Sequence, residues 1–261
     1  MDDQPESTCS RYRGQLVFLL VCVAASAVGL MRLFYLVPEC AQRNDFAHYY
    51  VSSRALIDGE NPYTVSLAEK YAALGMEFDE RIPNATNPPA LLWLFSPLAL
   101  LPPADACLAW HAVQFASLGV VVWLTWRLTR DRLPAKALAL GTIAFVFCNP
   151  VYWHVYHSQV QLLLAAMLLA AFWWQQDKKY NLACATILLA GVLKIFPLVL
   201  LPWFLWASDE PWTTRLQRTA MAACFGAMLF VLSGPQLWLE FADHGLEVVT
   251  SNAVNRTFNF G

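Results

Sequence analysis

The chain has 261 residues and a formal charge of -2, from 17 basic and 19 acidic side chains, which excludes a protein held to nucleic acid by neutralising a run of phosphates. Hydrophobic residues make up 58% and charged residues 14%, against roughly 25% charged in soluble domains, so an ordinary soluble globule is excluded too. The 11 Trp, 16 Phe and 9 Tyr suit membrane-water interfaces, where an amphipathic ring keeps one edge wet.

Residues 14–37 are an apolar run whose only charge is Arg32, long enough for one span at the ~20 residues a helix needs to cross hydrocarbon. Arg11 and Arg13 precede it, and the enrichment of basic residues on cytoplasmic flanks puts the N-terminus inside and residue 37 outside. Ala25-Ser26-Ala27 resembles a small-residue cleavage site, but the apolar run continues well past it, which favours an uncleaved anchor.

Residues 38–88 carry eight acids against four bases, with turn formers at Asp58-Gly59, Asn61-Pro62 and Asn87-Pro88-Pro89. This reads as an aqueous loop too long to be a mere connection, and Phe46, Tyr49, Tyr50, Leu56, Ile57 and Tyr63 argue that it folds. Residues 89–101 are apolar but, at ~1.5 Å per residue, reach only about 20 Å, so they predict a re-entrant or juxtamembrane helix closing an external loop over 38–103.

Further spans are predicted within 104–238. Residues 104–126 run inward to Arg127, Arg130, Arg132 and Lys136, and 137–153 return outward to an external turn at 154–158. Residues 160–174 go back in to Lys178 and Lys179. As one helix, 181–206 places Lys194 near mid-membrane and Arg215 and Arg218 outside; as a hairpin of two short helices it places Lys194 at the outer surface and both arginines inside. The hairpin agrees better with the charge pattern. Residues 216–238 form the last span, leaving 239–261 as an external C-terminal segment. The fold class is therefore all-α, a polytopic transmembrane helical bundle with a large first extracytoplasmic loop.

This topology collects Asp45, His48, Asn61, Tyr63, His154, His157, Gln159, Gln161, Lys194 and Asn255 on one outward face. Ionisable groups at the membrane are expensive and need a partner or a task. Asp45 suits a general base, or plainly an N-cap for the segment from Phe46. Lys194 suits a phosphate oxygen as a point charge, or snorkels to the interface. His154 and His157 share a helical spacing but lack a further acid or Cys at metal spacing, so no metal is assigned. The seven cysteines show no paired spacing and read as small apolar packing residues. There is no Walker loop, no GxGxxG and no inverted repeat; no cofactor is expected.

The strings Asn44-Asp45-Phe46-Ala47-His48-Tyr49-Tyr50, Arg54-Ala55-Leu56-Ile57-Asp58-Gly59-Glu60-Asn61-Pro62-Tyr63, Asn87-Pro88-Pro89 and Ser96-Pro97-Leu98 resemble the first-loop signature of family 87 glycosyltransferases of the GT-C superfamily, similar to polyprenyl-phosphate-mannose-dependent α-mannosyltransferases. The likeness continues through Ser158-Gln159-Val160-Gln161, where the family usually has Gly-Gln-x-Asn. It extends through Lys194-Ile195-Phe196-Pro197, like a Lys-x-x-Pro pattern, and through Asn255-Arg256-Thr257. The resemblance implies inverting transfer of a sugar, mannose, from a polyprenyl-phosphate donor to a glycolipid or glycan acceptor at the outer face of a bacterial plasma membrane. In that reading Asp45 is the base, and His48, Tyr63, His157, Gln159, Gln161, Lys194 and Asn255 contact substrate. Family members continue for further spans, which implies a C-terminally truncated form. The alternatives are a permease or flippase with Lys194 and the histidines lining a solute path, and a non-catalytic assembly subunit.

Overall fold

A computed structural model describes residues 8–35, 44–78 and 84–245, and helix is the only regular secondary structure among the described residues. In chain order these are α1 (Thr8–Phe34), α2 (Asn44–Ile57), α3 (Ala68–Ala73), α4 (Pro89–Ala99), α5 (Pro103–Thr129), α6 (Ala135–Phe147), α7 (Asn149–Tyr156), α8 (Gln161–Gln176) and α9 (Tyr180–Leu193). A 3-10 turn (Phe196–Leu200), α10 (Leu201–Trp206), α11 (Trp212–Leu232), α12 (Pro235–Glu240) and a wide π turn (Phe241–Gly245) complete it. Pro89, Pro103, Pro150, Pro202 and Pro235 each occupy a first turn, where the missing N–H costs nothing and the fixed φ suits the helix. Hydroxyls within the apolar helices, such as Ser117 and Thr186, donate to the carbonyl four residues back, which satisfies them without water.

α1 and α5 are long and apolar enough to cross a membrane singly, and α6 with α7, and α11 with the segment after it, would do so as bent pairs. Trp110 Nε1 donates to Ser158 O (2.8 Å), while further along the rings of Trp123 and Trp173 meet at 5.4 Å. α5 and α8 therefore run in the same direction, and α6–α7 return between them. α1 lies along α6–α7, with Lys136 over the Phe18 ring at 5.9 Å and Arg32 over Tyr152 at 4.5 Å. α9 runs back along α8. The chain then folds onto α9 again, with Cys184 Sγ 3.4 Å from Phe204 O, and Leu198 packs so closely on Gly191 that a Cβ there would overlap it. Residues 181–206 thus form the hairpin, with Lys194 at its tip.

α11 starts beside Asn181 and Leu205, through Arg218 at 3.3 and 3.2 Å, and ends where Trp93 Nε1 donates to Ser233 O at 3.0 Å. One end of the bundle consequently holds Arg127, Arg130, Arg132, Lys136, Lys178, Lys179, Arg215 and Arg218, and the other holds Lys194. The described part of the first loop folds onto that second end as α2 and α3, against α4.

Several boundaries differ from those the sequence predicts. α7 carries helix through His154 to Tyr156, bent 44° from α6 at Cys148, so the turn begins only at His157. The last predicted span is broken: the helix direction changes by 92° beyond Leu232. Gly234 there has φ 93°, a conformation that glycine accepts readily, and Pro235 cannot continue the ladder.

Candidate functional site

α2 is encased rather than amphipathic: Phe46, Ala47, Tyr49, Tyr50, Val51 and Ala55 are all buried, in a cluster that includes Phe95, Trp110, Val160 and Ala190. The Phe95 ring lies 4.5 Å from Trp110 and 5.0 Å from Tyr49. Aromatic packing of this kind locates a helix to within its side-chain rotamers. α2 also closes the end of α4, with Tyr50 Oη donating to Leu101 O (2.6 Å) and Arg54 Nη1 to Ala99 O (3.3 Å), carbonyls that a helix end leaves without intrahelical partners. Asp45 stands at the rim of this seat, in the first turn of α2.

Gln159 and Tyr49 face the Asp45 carboxylate as hydrogen-bonding side chains, Lys194 acts on it as a positive charge, and the His157 imidazole lies close enough to act on it electrostatically. All four favour the ionised form, yet burial outweighs them and pushes the carboxyl above its ordinary range. Tyr49 is four residues on from Asp45, the spacing at which helical side chains meet, and its own burial holds the phenol well above its usual pKa. It stays protonated and donates.

Lys194 Nζ donates to Asn87 Oδ1 at 3.0 Å, spanning 107 residues of sequence. Asn87 is buried, its carbonyl accepts Tyr63 Oη at 2.6 Å, and the Asn84 side chain donates to Tyr63 O at 2.6 Å. Tyr63 is itself placed by an Asx turn, its N–H bonded to Asn61 Oδ1 at 3.0 Å. The turn-forming residues of the loop therefore build a support for the lysine at the hairpin tip.

The third component is the turn between α7 and α8. Ser158 has φ 54°, a left-handed conformation that costs a non-glycine residue of order 1 kcal/mol, and this gives a physical reason for glycine being usual at such a position. Here the buried Ser158 is restrained by Trp110 Nε1 on its carbonyl and by His111 Nε2, 3.4 Å from its Oγ. The next residue, Gln159, is held by Gln114 Nε2 on its carbonyl (3.3 Å) and by His154 Nδ1 at its Oε1 (2.8 Å).

Asp45, Lys194, Gln159 and His157 are thus brought together; His157 also stacks on Trp153 at 5.1 Å. His48 instead bridges loop segments, 3.3 Å from Tyr71 Oη and 3.4 Å from Thr86 Oγ1. Tyr63 is fully buried and acts through Asn87. Gln161 begins α8, and its Oε1 is buried without a hydrogen-bond partner. Asn255 lies outside the described residues. Sequence reasoning gave no site role to Tyr49, Asn87, His111 or Gln114; of these Tyr49 and Asn87 stood within strings that carry the family resemblance, Asn44 to Tyr50 and Asn87-Pro88-Pro89.

Residues 85–259 match the model of glycosyltransferase family 87. The chain belongs to glycosyltransferase family 87. No curated protein and no solved structure matches it. Family 87 membership implies a glycosyltransferase, with a sugar donor and an acceptor, and the apolar helices accord with a membrane protein. Asn87, the 157–161 turn and Lys194 fall within the matched segment, and Asp45, His48 and Tyr63 precede it.

Proposed function

We propose that this family 87 chain moves a sugar, mannose, from a polyprenyl-phosphate donor to an acceptor hydroxyl, with inversion, at the outer face of a bacterial plasma membrane. The observation that supports this reading is the meeting of an α2 carboxylate with the lysine of the α9 hairpin tip. Inverting displacement of a sugar from a phosphate is helped by a base on the acceptor side of the anomeric carbon and a cation on the side of the leaving phosphate, within one site.

Asp45, ionised, takes the proton of the acceptor hydroxyl as the acceptor oxygen bonds to the anomeric carbon. The bond from that carbon to the donor phosphate breaks, and its electron pair leaves on the phosphate oxygen. Attack opposite the leaving group inverts the centre. Lys194 offsets the charge growing on the phosphate, and Asn87 keeps the ammonium in place. Gln159 and Tyr49 orient the carboxylate.

The test supplies full-length protein in sealed vesicles with a radiolabelled polyprenyl-phosphate mannose and a glycolipid acceptor. Labelled product is expected, and Asp45→Asn should lower transfer by about 10²–10⁴-fold, the usual contribution of a general base, at unchanged membrane insertion. Near-full transfer by the Asn variant would remove Asp45 from the mechanism. Label crossing the vesicle without covalent product would replace the transferase reading with a permease.

A further inference from the structure

At the end of the bundle opposite Lys194, two cavities adjoin. One, of about 230 Å³, is lined by Lys178, Lys179, Asn181, Leu182 and Glu210 among others. The second, about 290 Å³, is a crevice between α9 and α11 walled by Leu182, Ala185, Leu188, Met221 and Phe225. They share Asn181 and Leu182, so a polar recess borders an apolar crevice between α9 and α11.

We propose that this pair of cavities binds an anionic phospholipid, its phosphate at Lys178 and Lys179 and one acyl chain in the α9–α11 crevice. The inference goes beyond the transfer reaction and does not rest on it.

The charges of the mouth favour an anion. Its one acid, Glu210, is paired with the buried Arg218 guanidinium, which also bonds Asn181, Ser208 and Leu205 O and lies 4.8 Å over the Tyr180 ring. Arg218 and Glu210 thus neutralise each other. Lys179 approaches Asp177 only at 3.9 Å, with both side chains about half exposed, a contact worth little in water. The ammonium groups of Lys178 and Lys179 together outweigh the Asp177 carboxylate and set the sign of the mouth.

The slot favours a chain. Apart from Asn181 and Arg218 its lining is apolar, and an acyl chain laid in an apolar crevice gains dispersion contacts along its walls. A slot of this volume is too narrow for a helix of ~10 Å diameter. A free phosphate compound would leave the slot empty, and a zwitterionic lipid would not exploit the lysines. Basic pockets between helices at the cytoplasmic end are where anionic head groups bind, and this end gathers the basic residues of the bundle.

The experiment is native mass spectrometry of the full chain in detergent, offered phosphatidylglycerol and phosphatidylcholine of the same acyl chains in equal amounts, and glycerol phosphate separately. Phosphatidylglycerol should be retained up to about thirtyfold over phosphatidylcholine, the scale expected from two lysines. Lys178→Ala with Lys179→Ala should abolish that preference. Ala185→Phe, which fills the slot, should reduce retention of both lipids, and thermal unfolding checks that each variant is folded. Equal retention of the two lipids by the unsubstituted chain, or an undiminished preference in the double variant, overturns the proposal. Glycerol phosphate binding as tightly as the lipid also overturns it, in favour of a free-phosphate site.

Discussion

Asp45 sits where burial opposes the charge that a base needs. A folded-state pKa raised above the unfolded value stabilises the fold fully at low pH, and this contribution is lost as pH rises through the folded pKa. Transfer has the opposite sign, since the ionised form is the competent one. Activity is therefore expected to climb through the same window in which the Asp45 contribution to stability falls. Asp45→Asn, which lacks the buried charge, should unfold at a higher temperature than the unsubstituted protein at pH 8, and this advantage should shrink towards pH 4. Thermal unfolding of both forms across pH checks it, and an advantage that grows on acidification would contradict it. Asp45 and Lys194 were legible in the sequence because ionisable groups beside apolar runs demand explanation. Tyr49 and Asn87 were not: an aromatic in a hydrophobic helix and an Asn in a turn have sufficient structural reasons to be there, and their roles depend on what they face.

At the scale of elements, the hairpin at 181–206 brings Lys194 to the site. The charge pattern favoured it, and Pro197 and the close seat of Leu198 on Gly191 produce it. Gly191 and Gly226 are both helical glycines, so propensity favours Ala at each by up to ~1 kcal/mol. Packing separates them: a Cβ at 226 meets only Leu188 at 3.8 Å, whereas one at 191 overlaps the Leu198 side chain. Gly226→Ala should be neutral or stabilising, and Gly191→Ala should destabilise by about 1–3 kcal/mol, the cost of overpacking, in thermal or denaturant unfolding. Equal shifts for the two would mean that α9 and the 3-10 turn are not tightly docked. Hydropathy runs straight through the breaks at Cys148 and Gly234, and the signals that mark them are the dipeptides Asn149-Pro150 and Gly234-Pro235.

Across the whole molecule, the helices alternate so that basic residues cluster at one end and Asp45 and Lys194 at the other. Single cysteines at 45, 179 and 194 in a cysteine-free background, probed with an impermeant maleimide on intact cells, should label at 45 and 194 together, with 179 reacting only after lysis. Labelling of 194 together with 179 would break the shared site. The sequence by itself determined the membrane class, the helical fold and the grouping of charges, because hydrophobic run length and basic flanks are local quantities set by the bilayer. Only the tertiary structure decided that Asn87 holds Lys194, that Ser158 turns Gln159 towards Asp45, and that burial raises the carboxyl. Each of these depends on partners tens of residues away, brought together by packing that no local pattern encodes.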